Sequence, residues 1–324
     1  NITKENFDIT TLEWESLEQL YLDYLEYMPS LEPTAVMIFN MIMKADKVHS
    51  VRYRIKNPEH LIEKIIRRRI EKPSEVINLN NYKTVVTDLI GVRALHLFKE
   101  DWEPVHEYIT NQWYTTKAPV INYREGDTEE SLKRHKELGC DTFEHPAGYR
   151  SVHYILETQP AKDKVFVELQ VRTIFEEAWS EIDHVIRYPY DLNNQIFKRY
   201  LMTFNRLAGG ADEMGSFIAF LKENLLITKA THAQEIVKKD KIIKELQEKI
   251  EQSKIDKKDK ESIFKTIDSL DLWNNDTSVD NYITLDDTYI QELLFPKGNK
   301  LIDEWSTAAS IIQSSKKKID GNNK

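Results

Sequence analysis

The chain has 324 residues, 40% hydrophobic and 10% aromatic, enough apolar material for a packed core and too much for a fully disordered polymer. Its 45 Lys+Arg against 54 Asp+Glu leave a formal net charge of -9, which excludes a protein coated in positive charge but leaves room for a local basic cleft. Cys140 is the single cysteine, so an intramolecular disulfide and a thiolate zinc cluster are both excluded. The opening Asn1-Ile2-Thr3-Lys4-Glu5 has no basic-then-apolar leader pattern, and the apolar run Pro33–Met43 falls far short of the roughly 20 residues that span a bilayer. The expectation is a soluble, cytoplasmic protein with no membrane partner.

In chain order, residues 11–46 read as helix, with Trp14, Leu17, Tyr21, Leu25 and Met28 at three- and four-residue spacing. Pro29 and Pro33 predict a break into two helices. Val51–Lys56 alternates apolar with polar, as a half-buried strand does. Pro58 suits a helix start, and Leu61, Ile62, Ile65 and Ile66 make one apolar stripe behind it. Asp88–Phe98 reads as a strong strand, followed by a helix from Asp101. Ser151–Leu156 and Val165–Val171 read as paired strands, and Ile174–Arg187 as a helix.

Further helix is expected over Ile196–Ile227, with a turn at Leu207-Ala-Gly-Gly-Ala211. Only nine glycines occur, about 3% where roughly 7% is usual, and no G-x-G-x-x-G is among them. Gly210 and Gly215 have P-loop spacing, but Ser216 stands where that loop needs lysine. Nucleotide phosphates would therefore be held by side chains. Residues 229–262 are dense in Lys and Glu, with Ile236, Ile243, Leu246 and Ile250 near heptad spacing, which fits a long solvated helix or a short coiled coil. The segment 263–312 regains apolar residues and reads as a small appendage, and Lys316–Lys318 as a solvated tail. Strands mixed with helices as far as residue 190 indicate an α/β (α+β) fold with a mixed, largely antiparallel sheet flanked by helices. The domain division is placed at 1–228 and 229–324, the second part a mainly helical extension.

Three clusters carry chemistry. Alternation sets Arg52, Arg54 and Lys56 on one face of their strand, with Lys64 and Arg67–Arg69 following on the next helix. Asp88 and Arg93 belong to one strand segment. In Val167-Glu-Leu-Gln-Val-Arg172, Glu168, Gln170 and Arg172 share a face opposite Val167, Leu169 and Val171. Singly, each row fits a solvated surface. Together they offer several cations for a triphosphate and two acids for a hard divalent ion. His135 and Cys140 lack partners at zinc-ligand spacing, and His184 fits a satisfied helix histidine as well as a site residue.

Gly148-Tyr-Arg-Ser-Val-His-Tyr154, with Asp88-Leu-Ile-Gly-Val-Arg93, Val167–Thr173 and Ala178–Tyr188, resembles the RelA/SpoT family of alarmone synthetases over roughly residues 45–190. The resemblance implies a pyrophosphokinase on a nucleotidyltransferase-like sheet, moving the β,γ-pyrophosphate of ATP to a ribose 3′-hydroxyl. It implies ATP binding by Arg54, Lys56, Lys64 and Arg93, and Mg²⁺ on the catalytic acids Asp88 and Glu168. It implies acceptor binding by Tyr149, stacked on the base, with His153, Gln170 and Arg172, and a lesser part for Arg150. Asp88 and Glu168 both stand as candidates to take the hydroxyl proton.

The family's loop before Gly-Tyr carries a lysine and an asparagine for the guanine nucleotide; here His145 and Ala147 stand there. The first expectation for the acceptor is GDP or GTP, giving (p)ppGpp. The second is the 3′ end of tRNA, modified by a toxin of a toxin–antitoxin or phage-defence system, with Arg67–Arg69 available to the RNA backbone. A nucleotide-sensing module without activity is the third. No His-Asp dipeptide of a hydrolase domain occurs, so a synthetase-only member is expected, with residues 229–324 as the seat of regulation or of antitoxin binding.

Overall fold

The computed structural model describes residues 4–124, 127, 129–146, 148–187 and 195–275. Ala147, Tyr188 and everything from 276 on, including most of the expected appendage and the Lys316–Lys318 tail, lie outside the described residues. The chain divides into two compact units at Ser216/Phe217.

The first unit is built on a seven-stranded sheet in the order β1-β2-β7-β6-β4-β5, with β3 also paired to β6. The strands are β1 Ser50–Ile55, β2 Ile90–His96, β3 Tyr114–Thr115, β4 Val120–Tyr123, β5 Asp141–Glu144, β6 Ser151–Thr158 and β7 Val165–Thr173. The pairs β2/β7 and β4/β5 are parallel and the rest antiparallel, so the sheet is mixed and mostly antiparallel, as expected. The short strands β3, β4 and β5 were not anticipated. Two to four residues are too few to show a period of two.

The helices are α1 Lys4–Asp8, α2 Trp14–Ile42, α3 Pro58–Glu71, α4 Tyr82–Val85, α5 Trp102–Gln112, α6 Glu129–Glu137, α7 Ile174–Arg187, α8 Gln195–Gln252 and α9 Lys257–Asn275. Helix α2 corrects the expected break, because Pro29 and Pro33 lie inside one continuous helix. Both prolines are on its exposed side, where water can satisfy the carbonyls they leave without a donor. Leu17, Leu20, Tyr24, Leu31, Ala35, Ile38 and Ile42 bury the other side against β1, β2 and α3, and that packing carries the helix across. In α3 the Asn57 Oδ1 accepts from the amides of Glu59 and His60 at 2.9 and 3.3 Å, and Pro58 takes the first position, where no amide bond is needed.

Helix α8 corrects the second expected break. It runs through Leu207–Ala211 without a turn and continues into the second unit as far as Gln252, so the stretches read as separate helices over 196–227 and after 229 are one. Of the second unit, the described residues are the rest of α8, a break at 253–256, and α9. No helix among the described residues is long and apolar enough to cross a membrane.

The sheet has one dry face. Ile90, Val92 and Ala94 of β2, Val167, Leu169 and Val171 of β7, and Val152, Tyr154 and Leu156 of β6 are all buried on it. Each Val, Leu or Ile among them contributes roughly 1.5–3 kcal/mol. Tyr154 brings the only hydroxyl of these nine, and it is satisfied: Trp102 Nε1 donates to it at 3.0 Å and His106 Nδ1 lies at 3.0 Å. The alternate residues of the same strands face the other way, and they form the site.

Candidate active site

Residues opposite one another in a sheet project to the same face. The pairing therefore lines up Arg52, Arg93, Gln170 and His153 in one row, and Arg54, Gly91, Glu168 and Ile155 in the next. Three strand segments chosen from sequence for their polar rows thus share one face. Arg54 crosses the sheet over Gly91. A Cβ at position 91 would meet Arg54 Cγ and Nε at 3.4 Å, and the neighbour of Gly91 on the next strand is Glu168.

At one end of this face Asp88 precedes β2, in a turn rather than inside the strand expected over 88–98. The Lys56 amide donates to Leu89 O at 2.9 Å, closing the β1/β2 ladder and bringing Lys56 alongside. Tyr24 secures the same residue by donating to Lys56 O at 2.7 Å. Lys56 Nζ and Lys64 Nζ meet the same oxygen, Asp88 Oδ2, at 2.8 and 2.7 Å, with side chains 11%, 18% and, for Asp88, 11% exposed. Burial alone would push the Asp88 carboxyl up, but Lys56 and Lys64 outweigh it and hold it below the usual carboxylate value. Burial pushes Lys64 down, against the pull of Asp88. Asp88 Oδ1 is buried and has no hydrogen-bond partner. A hard oxygen donor without a partner fits a divalent ion that takes one or two carboxylates and completes its shell from substrate phosphates, and the two ammonium groups suit those phosphates.

The other end centres on Tyr149. Its hydroxyl lies 3.1 Å from His153 Nε2 and donates to Gln170 Oε1 at 3.2 Å. Gln170 Oε1 also accepts from Arg172 Nη2, and Gln170 Nε2 donates to Glu168 Oε2 at 3.0 Å. His153 is pushed down to about 3 by burial, then by Arg172, His145 and Lys117. It is therefore a neutral ring, and the chain of bonds closes when its Nε2–H donates to the Tyr149 oxygen. Burial raises the Tyr149 phenol despite Arg172, so it too stays neutral. The Arg172 guanidinium carbon stands 4.9 Å from the Tyr149 ring centroid, and the His145 ring lies 5.3 Å away on a tilted plane.

Sequence reasoning missed the acids that hold this end. Glu177 on α7 meets Arg172 Nη1 at 3.2 Å and Arg93 Nη1 at 3.0 Å, and Glu181, one turn on, also binds Arg93. Burial opposes the Arg93 charge, and the two glutamates more than restore it. Their i,i+4 spacing was visible, but nothing in the sequence named the arginines opposite. Helix α7 starts where it does because Thr173, the last residue of β7, caps it: Glu176 N donates to Thr173 Oγ1 at 3.1 Å and Thr173 N to Glu176 Oε2 at 2.9 Å.

The structure thus gathers Lys56, Lys64 and Asp88 in one cluster, and Arg93, Tyr149, His153, Glu168, Gln170 and Arg172 in a second, with Arg54 over Gly91 on the same sheet face. Arg150 belongs to neither. It binds Asp127, Nε to Oδ2 at 2.9 Å, at the rim of a cavity of about 500 Å³ that Arg172, Ser151 and Trp102 also line. Of the basic run on α3, Arg68 donates to Val85 O at 3.1 Å and Arg69 to Pro73 O at 2.6 Å, so both brace the fold. His135 stacks on Trp102 with centroids 4.0 Å apart.

Residues 53–193 match the family described as the region found in RelA / SpoT proteins. The GTP pyrophosphokinase YwaC of Bacillus subtilis is 27% identical over 172 residues, 50% of this chain and 67% of that protein. The GTP pyrophosphokinase YjbM of the same organism is 28% identical over 144 residues, 43% of this chain and 56% of that protein. Among solved structures, small alarmone synthetase 1 from Bacillus subtilis aligns at 20% identity with a TM-score of 0.47, covering 62% of this chain and 96% of that one. The same synthetase bound to its product pppGpp aligns at 23% identity and a TM-score of 0.44, covering 62% and 97%.

Proposed function

Residues 53–193 carry the RelA/SpoT region, and we propose from that premise that this chain is an ATP-dependent pyrophosphokinase, moving the β,γ-pyrophosphate of ATP to the 3′-hydroxyl of GDP or GTP. The observation that carries the reading is the polar sheet face, where Arg54 stands in one row with Glu168 and the Tyr149 network adjoins it, with the Lys56/Lys64/Asp88 cluster at the ends of β1 and β2. Two relatives named GTP pyrophosphokinases support the guanine acceptor.

In this reaction the 3′-oxygen attacks the β-phosphorus of ATP, the bond from that phosphorus to the α,β-bridging oxygen breaks, and AMP leaves with the electron pair. Such transfer depends on positioning and on neutralising the moving charge rather than on a covalent nucleophile. Arg54, Lys56 and Lys64 supply cations to the triphosphate. Arg93 is assigned to the adenine side, held by Glu177 and Glu181. Tyr149 offers a ring to the acceptor base, and stacking of this kind is worth about 1–3 kcal/mol per base. His153, Gln170 and Arg172 fix that ring and the acceptor beside it. Asp88, kept ionised by two lysines, is a weak proton acceptor, which favours Glu168 as the group that takes the hydroxyl proton. Asp88, through its unpartnered Oδ1, would hold Mg²⁺, with Glu168 of the Tyr149 cluster as the proposed second ligand, and the ion when bound neutralises polyphosphate charge.

A second reading has its own observation. His145, where the family has lysine, lies beside the Tyr149 ring and offers the acceptor phosphates no fixed point charge. This favours an acceptor whose phosphates are held elsewhere, such as the 3′ end of tRNA, and with it a translation-blocking toxin. Residues 229–324 are proposed as the regulatory or antitoxin-binding part of the 1–228/229–324 division.

The test is incubation with γ-labelled ATP and Mg²⁺, offering GDP, GTP, ATP or deacylated tRNA. Label on GDP or GTP is expected. Label on tRNA alone establishes the second reading. Label on none of them, with active controls, leaves a nucleotide sensor.

A further inference from the structure

We propose that Asn205 on α8 is a positioning residue for the acceptor: oriented by Arg124, it clamps the Gly148–Tyr149 turn and so sets where the Tyr149 ring stands. The inference rests on the assignment of Tyr149 to the acceptor, and Asn205 lies outside the segment that matches the family.

Leu201, Asn205, Ala208, Gly209 and Asp212 recur at three- and four-residue spacing and form the buried side of this part of α8. Asn205 is the residue on that side that reaches the turn: its Nδ2 donates to Gly148 O at 2.8 Å. A side-chain amide can present either end, and here Arg124 chooses. Its Nη1 donates to Asn205 Oδ1 at 3.2 Å and to Asn205 O at 3.4 Å, so the oxygen is taken and the NH₂ is turned to Gly148. Arg124 is in turn fixed by Asp127, which accepts from the Arg124 amide at 3.1 Å and faces Nε at 3.7 Å.

The backbone of His145 and Gly148 is held by hydrogen bonds. Gly148 N donates to His145 O at 2.8 Å, His145 N donates to Tyr123 O at 2.8 Å, and Gly148 has φ +73°, a left-handed conformation that favours glycine. With Gly148 O held by Asn205, the peptide leading into Tyr149 has one orientation, and the phenol lands on Gln170 and His153. Gly209 makes room for the clamp. A Cβ there would stand 2.7 Å from Arg150 Nη1 and 3.2 Å from Arg124 Nη1, so the bare helix side lets both guanidinium groups lie against it.

Asn205→Asp keeps the shape and the Arg124 contact but turns an oxygen toward Gly148 O. Hydrogen exchange of the peptide spanning 145–150 is expected to speed up about tenfold, and the acceptor KM to rise about five- to tenfold, with the ATP KM within twofold of wild type. Arg124→Met, which frees the amide to turn, should move both quantities in the same direction by less, and it carries the test if Asn205→Asp fails to fold. Unchanged exchange and acceptor KM overturn the clamp, as does an equal rise in the KM of both substrates. If the wild-type protein labels no acceptor, the proposed function falls, and the exchange rates alone decide: unchanged rates in both variants overturn the clamp.

Discussion

The two ends of the polar face handle charge in opposite ways. Around Asp88 two lysines share one carboxylate oxygen, so the cluster carries surplus positive charge and one buried oxygen without a partner. Around Tyr149 the arginine charges are already paired, Arg172 with Glu177 and Arg93 with Glu177 and Glu181, although Arg172 Nε and Nη1 and Glu177 Oε2 have no hydrogen-bond partner. The first end is built to receive charge, and a triphosphate with its ion fits that need. The second has its charge neutralised in advance, so recognition there falls to the Tyr149 ring and to directed hydrogen bonds. The Asp88 end thus suits a partner held by charge and the Tyr149 ring one held by shape, while Arg93 and Glu168 of the Tyr149 cluster are assigned to ATP and its ion.

The largest effect expected from breaking this contrast is at Asp88. Asp88→Ala leaves Lys56 and Lys64 without their shared carboxylate and removes the free oxygen, and transfer should fall by about a thousandfold or more while the circular dichroism of the fold is kept. A variant within tenfold of wild type would remove Asp88 from the chemistry. Next is Tyr149→Ala, which should raise the acceptor KM by roughly 10- to 100-fold, the equivalent of about 1–3 kcal/mol of stacking. Tyr149→Phe keeps the ring and loses only the bonds to Gln170 and His153, so its rise should be a few-fold. Equal losses in the two variants would mean that the hydroxyl, not the ring, matters. Lys64→Met sharpens the contrast with a smaller effect, about a tenfold rise in ATP KM with the acceptor KM unchanged. Raising salt should weaken ATP binding more than acceptor binding, because surplus charge is screened more than charge already paired.

Much of this was legible because strands announce their faces. The period of two along 167–172 and 51–56 put the polar rows on the surfaces where the pairing later aligned them. What joined the rows was not legible: Asp88 meets Lys56 and Lys64 through a turn and a helix, and no local pattern encodes that meeting. Turn residues misled twice for one reason. Pro29 and Pro33 each oppose helix locally by about 3 kcal/mol and Gly209 and Gly210 by about 1 kcal/mol each, and the packing of each helix's buried side outweighs them. At Gly209 the missing side chain serves the arginines beside it rather than a bend. The clamp from α8 was out of reach too, since Asn205 is one polar residue in an amphipathic helix until its partner at Gly148 is known.

The finest test uses two buried aspartates that sit in the two kinds of surroundings. Asp212, 1% exposed, accepts from Thr173 Oγ1 at 2.9 Å through Oδ2, while Oδ1 has no partner. Burial and then Glu176 push its pKa up to about 7. In the unfolded chain the group titrates near 3.9, so from about pH 4 to 7 the folded protein keeps a proton that the unfolded chain has lost. Its contribution to stability is present below pH 4 and is lost as the pH rises through 7. Asp88 has the opposite sign: its folded pKa is lowered, so its contribution is present above pH 4 and is lost as the pH falls through the folded value. Asp212→Asn keeps an acceptor for Thr173 and cannot ionise. It should melt above wild type at pH 8, by a margin that shrinks to nothing near pH 4, whereas Asp88→Asn should melt below wild type at pH 8. Melting temperatures across pH 4–8 check both. A margin for Asp212→Asn that is the same at both ends of that range would mean that the group is ionised throughout, and that the carboxylate beside Thr173 is stabilised by its surroundings much as Asp88 is.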